Sequence, residues 1–139
     1  MSKTIVLDAN ILFRAVLGNK VPTFLANYQN DVRYFTPSYC YVELEKYLPK
    51  IAENNNLPLE QILNTVEKLK QVVIPLQDEI YQHVEAEARN RIESRDENDW
   101  PIVALAMALN CPIWTEDKDF FGTGLPIWNS RNVEISFKA

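Results

Sequence analysis

Short apolar runs that end at acidic residues alternate along this chain with longer stretches of helical character, and that alternation limits the fold more than any other feature. Ile5-Val6-Leu7 ends at Asp8, and Ile113-Trp114-Thr115 leads into Glu116-Asp117. Runs this short and this apolar read as strands buried on both faces, as in a parallel sheet covered by helices. Helices interleaved with such strands predict an α/β fold: a three-layer α/β/α sandwich with a mostly parallel central sheet.

The predicted elements follow in order. A strand spans 3–8 and a helix 10–17, stopped by Gly18-Asn19. A short helix starts near Pro22 and reaches Gln29, and a second strand covers 32–35. Thr36-Pro37-Ser38 opens a helix that carries Glu43 and passes Pro49, with a kink or a restart there. Helices over 59–70 and 77–92 flank the apolar piece Val72-Val73-Ile74-Pro75. Pro101 fits the first turn of a helix over 99–109, whose buried face is Ile102, Leu105, Ala106 and Leu109. A strand over 113–115, a turn at 120–124 and an alternating strand over 133–137 complete the chain. At 139 residues, with no repeat, linker or shift in composition, residues 1–139 read as one domain.

Composition excludes several functions. No apolar run approaches the ~20 residues of a membrane span, and Met1-Ser2-Lys3-Thr4 leads straight into a strand, so a soluble cytoplasmic protein with no membrane partner is expected. Cys40 and Cys111 form no Cys-x-x-Cys pair and read as buried small hydrophobes. His83 is the single histidine, on what reads as a solvated helix face, which excludes a multi-histidine zinc site. Gly122-Thr123-Gly124 does not open a helix after a strand, so neither a phosphate-binding loop nor a dinucleotide fingerprint is present. A net charge of −5 argues against gripping nucleic acid through bulk charge. Arg89, Arg91 and Arg95 are the one basic cluster, and Glu85–Arg89 and Glu87–Arg91 have the spacing of helix-surface ion pairs.

The carboxylates are what remains. Asp8, Glu43, Asp96, Asp99, Asp117 and Asp119 lie at the ends of apolar segments, and strand carboxyl ends face the crevice where open α/β sheets bind ligands. Converging there, they would repel one another by about 4 kcal/mol per pair at ~4 Å and an effective dielectric near 20. Protons or a hard divalent cation relieve that strain, so the pattern predicts a Mg²⁺ or Mn²⁺ site. Each acid also has a plainer reading. Asp8 can cap the following helix. Glu43 competes with Glu45. Asp96 and Asp99 can favour a helix N-terminus, with Ser94-Arg95-Asp96-Glu97 matching a capping box. Asp117 and Asp119 can form a solvated turn.

Four segments together resemble the PIN domain family: Asp8-Ala9-Asn10 after the first strand, Glu43 on an early helix, Asp99-Trp100-Pro101-Ile102-Val103-Ala104-Leu105-Ala106, and Thr115-Glu116-Asp117-Lys118-Asp119-Phe120. The resemblance covers essentially the whole chain, and its last two segments are the most specific. It implies a metal-dependent ribonuclease like the toxins of bacterial type II toxin–antitoxin pairs. Asp8, Glu43, Asp99 and Asp117 match the acidic catalytic positions; Asp8, Asp99 and Asp117 would hold Mg²⁺ or Mn²⁺, and Glu43 would ligate it or orient water. Asp96 and Asp119 match accessory acids, and Asn10 and Thr115 match polar residues that brace the site. The implied reaction is in-line hydrolysis of RNA, leaving a 5′-phosphate and a 3′-hydroxyl. The implied partners are the RNA, an antitoxin that inserts a basic side chain into the acidic groove, and a second copy of the chain. Tyr28, Tyr34, Tyr39 and Trp128 are aromatic candidates for such an interface or for core packing. The rivals are a non-catalytic PIN-like module that binds RNA or protein, and a phosphotransfer domain, for which Lys118 is the only late lysine in place.

Overall fold

The computed structural model describes residues 3–93 and 97–138. Among them the chain forms β1 (Lys3–Leu7), α1 (Ala9–Leu17), α2 (Lys20–Tyr28), β2 (Val32–Pro37), α3 (Ser38–Asn54), α4 (Leu59–Leu69) and β3 (Val73–Leu76). These are followed by α5 (Glu85–Ile92), α6 (Trp100–Leu109), β4 (Ile113–Trp114), β5 (Ile127–Trp128) and α7 (Val133–Lys138). The five strands form one all-parallel sheet in the order β3-β2-β1-β4-β5. Helices cover both faces, giving the three-layer sandwich. The strand order reverses at β1, because the chain first builds outward to β3 and then returns to add β4 and β5 on the other side. The carboxyl ends of β1 and β4 therefore border the switch point where such sheets leave a crevice.

The burial pattern explains the strands. Ile5, Val6 and Leu7 are all buried, as a central parallel strand requires. Pairing of Ile5 with Tyr34 and of Leu7 with Trp114 puts these four side chains on one face. There the Phe137 ring lies 5.7 Å from Trp114 and 6.0 Å from Tyr34, with Phe24 of α2 6.3 Å from Trp114. Helix α6 packs against β1 and β2, and α5 packs on α6. Residues Ile102 through Ala106 are buried without a break, so α6 is apolar all round and enclosed.

Several expected elements are corrected. The helix expected over 77–92 is regular only from Glu85; before it come two 3₁₀ turns, Asp78–Ile80 and Gln82–Val84. Tyr81 explains the break. Its ring is buried edge-on to Trp100 at 5.7 Å and its hydroxyl donates to Asp78 at 3.0 Å, which tightens the backbone around it. Residues 133–137 form helix α7 and not a strand. Asn129 supplies the start signal, its side-chain oxygen accepting from the backbone of Arg131 and Asn132. Val133 and Phe137, one turn apart, face the core, while Ile135 is 62% exposed. Strand β5 is too short to show in the sequence. Val73–Leu76, expected only as a connecting piece, is strand β3; it lies at the sheet edge, where Pro75 is tolerated because it need not donate to a further neighbour. Helix α3 continues unbroken through Pro49. The proposed capping box and Asp96 lie outside the described residues.

Opposite outcomes at two positions of α7 test this correction. Phe137→Ala should cost about 3 kcal/mol in denaturant unfolding, whereas Ile135→Lys should change stability by no more than about 0.5 kcal/mol. Equal, large losses at both would restore the strand.

Candidate metal and phosphodiester site

Asp8 is the first residue beyond β1. Its extended backbone (φ −77°, ψ 160°) turns the chain into α1, and its carboxylate Oδ1 accepts the N–H of Ala9 at 2.6 Å. Its own N–H donates to the carbonyl of Trp114 at 3.0 Å, so the β1–β4 ladder holds it in place. The other oxygen, Oδ2, accepts from the Thr115 hydroxyl at 2.7 Å and from the Asn10 amide at 3.1 Å. Thr115 stands one residue past β4 and is buried. Its Oγ1 also accepts the N–H of Asp117 at 3.0 Å, while the Asn10 side-chain oxygen accepts the N–H of Glu116 at 3.3 Å. Asn10 and Thr115, matched as braces by the resemblance, thus tie the ends of β1 and β4 into one polar network.

The other acids stand on different elements. Asp117 follows Thr115 and accepts the N–H of Asp119 at 2.8 Å, shaping the 3₁₀ turn Lys118–Phe120. Glu43 is exposed on α3, and its charge is felt at Asp8. Glu45, its alternative, is instead engaged with Lys70 at 2.7 Å. Asp99 is partly buried at the N-cap of α6. The Asp119 side chain is exposed and joins the site through its backbone alone.

Electrostatics give this arrangement its chemistry. Asp8 is only 6% exposed. Burial pushes its carboxyl above the usual range; the donors Thr115 and Ala9 oppose that rise, and the negative charges of Asp117 and Glu43 add to it. Tyr39 is the residue that sequence reasoning missed here. Burial, then the neighbouring acidic groups Cys40, Asp99, Asp8 and Glu43, hold its hydroxyl far above the ordinary range. Asp8, Glu43 and Asp99 therefore all bear on one phenol. The available signal was spacing, since Tyr39 and Glu43 lie four apart and share a helix face. Glu116 was also missed. Burial works against its ionisation, but the hydroxyl and backbone N–H of Ser130 and the nearby Arg14 and Arg131 outweigh that and hold its carboxyl below the usual range. The 2.7 Å bond from the Ser130 N–H to Glu116 ties the segment after β5 to the segment after β4.

The donor set suits a hard cation. Its ligands are carboxylate and hydroxyl oxygens, His83 is exposed, and both cysteines are buried. Among the described residues no three acidic, histidine or cysteine side chains are already gathered as a metal cage. Arg89 and Arg91 pair with Glu85 and Glu87 at 2.8 and 3.2 Å, as their helix spacing predicts. Among the described residues no helix is long and apolar enough to cross a membrane.

Comparison with solved structures agrees with this architecture. The chain is similar to VapBC2 from Rickettsia felis bound to a DNA fragment from its promoter, with TM-score 0.73, 18% identity, and 91% of this chain and 98% of that one covered. PAE2754 from Pyrobaculum aerophilum matches with TM-score 0.73 and 13% identity over 99% of this chain and 98% of that one. VapBC-1 from nontypeable Haemophilus influenzae matches with TM-score 0.64 and 20% identity over 92% and 98%. No curated protein sequence matches the chain. The PIN domain profile matches residues 6–138, nearly the full length. The chain belongs to the PIN domain family.

Proposed function

We propose that this chain is a Mg²⁺- or Mn²⁺-dependent ribonuclease, a single PIN-type domain that acts in the cytoplasm as the toxin of a toxin–antitoxin pair. The observation that carries the reading is the buried Asp8 carboxylate at the β1–β4 switch point, braced by Thr115 and Asn10, with Asp117 and Glu43 raising its proton affinity. A buried carboxylate with further acids nearby is a setting that a divalent cation would complete. Family membership supports nuclease chemistry, although a fold by itself licenses no reaction.

Asp8, Asp99 and Asp117 would hold the cation, with Asp96 and Asp119 as accessory acids. When bound, the cation supplies activation of the attacking water and neutralisation of the charge that builds on the phosphate. The protein's own part is preorganisation. Thr115 and Asn10 fix Asp8 before substrate arrives, so no reorganisation falls on the reacting step. Glu43 orients the attacking water from α3. Tyr39, whose hydroxyl burial and the nearby Asp99, Asp8 and Glu43 hold above its ordinary range, stays protonated beside these acids. RNA is the substrate, and an antitoxin with a basic side chain directed at these acids would silence it. A second copy of the chain is a further candidate partner. One observation favours the rival of a non-catalytic module: no acidic cage is already assembled among the described residues.

Asp8→Asn, Asp99→Asn and Asp117→Asn should each lower Mn²⁺-dependent cleavage of single-stranded RNA by roughly a hundredfold or more, with circular dichroism unchanged. Wild-type rates in all three would refute the mechanism; calorimetric Mn²⁺ binding without any turnover by the parent would favour the module.

Stability without metal should carry the mark of Asp8. Its folded-state pKa lies above the ordinary value, so the folded chain binds this proton more tightly than the unfolded chain. The associated stabilisation is present below about pH 4 and is lost as pH rises through the folded pKa. With chelator present, the melting temperature of Asp8→Asn relative to wild type should therefore climb as pH rises from acid towards neutral. A flat or falling difference would contradict the electrostatic account.

A further inference from the structure

A cleft of about 330 Å³ opens beside the acidic centre, between the chain segments that leave β4 and β5. That volume falls in the range of ligand pockets, roughly 300–1,000 Å³. Thr115 and Asp117 form its inner wall, so anything seated there lies directly next to a group held at Asp8 and Asp117. Glu116, already engaged by Ser130 and Arg14, and Ile127 line it too, together with Lys118, Phe121, Asn129, Arg131 and Asn132. The chemistry changes along this wall, from carboxylates inside to cations and an aromatic ring outside.

Phe121 is 53% exposed, although its neighbour Phe120 is fully buried. Lys118 and Arg131 are exposed cations on an otherwise acidic chain. The side-chain oxygen of Asn129 is taken by the N–H groups of Arg131 and Asn132, and that of Asn132 by the N–H of Asn129. What these two amides have left to offer is N–H donors. The shape of the cleft is itself braced, because Glu116 holds Ser130 at 2.7 Å and its charge is balanced by Arg14 and Arg131.

Stacking ring, paired cations and amide donors are the components that recognise one nucleotide of a single strand. We propose that this cleft is a subsite for the nucleotide next to the scissile phosphodiester of RNA, an inference that rests on the ribonuclease reading above. Phe121 stacks on the base, Asn129 and Asn132 donate to its acceptors, and Lys118 and Arg131 neutralise the adjoining phosphate. The subsite also gives an RNA strand local cations on a chain of net charge −5, because Lys118 and Arg131 line the same cleft as Asp117.

The test uses Asp8→Asn protein with chelator present, so that no metal-dependent cleavage competes, and fluorescein-labelled hexauridylate followed by anisotropy. Adding Phe121→Ala should weaken binding on the order of tenfold, and Phe121→Trp should restore it. Adding Arg131→Gln should weaken binding and lower the salt slope by about one phosphate contact. Unchanged binding in both Phe121→Ala and Arg131→Gln overturns the subsite, as does a parent that binds no hexauridylate, and tighter binding of hexathymidylate overturns the assignment to RNA. The two readings separate cleanly. If the otherwise wild-type chain cleaves RNA and its KM is indifferent to Phe121→Ala and Arg131→Gln, the nuclease stands and the subsite falls. If those substitutions abolish binding while the wild-type chain cleaves nothing, the subsite stands and the nuclease falls.

Discussion

The hydrogen bond from Thr115 to Asp8 is the point on which the arrangement turns. Its 2.7 Å length joins two residues 107 positions apart, each standing one step beyond a strand of the same parallel pair. A parallel ladder cannot be closed by a hairpin, so the chain between them crosses over through helices and through β2 and β3. One hydroxyl, that of Thr115, then holds both the buried Asp8 carboxylate and the backbone of Asp117.

At that junction, burial and neighbouring negative charge push the Asp8 carboxyl the same way, and its hydrogen bonds push back. The carboxylate is shielded from water, which disfavours its ionised form, and nearby acids disfavour it further. Only part of this is offset by hydrogen bonds from within the protein. The cations within reach are arranged differently. Arg14 and Arg131 gather around Glu116 rather than around Asp8, so they brace the rim without quenching the centre.

Most of the sheet and its two flanking layers were readable from the spacing of apolar residues. Ile5-Val6-Leu7 and the continuous apolar helix after Asp99 admit few other interpretations. The failures share a cause. Segments of two to six residues, such as Ile127–Trp128 and Val133–Lys138, carry too little pattern for a period of 2 to be told from one of 3.6. At 133–137 the deciding information was the Asn129 side chain, a local capping signal outweighed by β-branched residues. Between 77 and 84, burial of Tyr81 against Trp100 overrode a helical pattern. At the site, Asp8 stood out because it ends an apolar run. Tyr39 did not, because an aromatic residue at the start of a helix looks the same whether it faces acids or core. Glu43 was separated from Glu45 only once Lys70, distant in sequence, was seen to engage the latter.

The margins of the sheet carry a consequence of their own. On one side lies β3, four residues long with Pro75 among them; on the other lies β5, with only two residues. Open margins of this kind invite a neighbouring molecule to extend the ladder, and brevity together with a missing amide hydrogen discourages it. Contact between copies of this chain would accordingly have to use side-chain surfaces, because neither margin offers a long enough row of main-chain groups to zip against. The protein can keep a crowded, negatively charged mouth at one end of its strands without its flanks becoming seeds for fibrillar growth.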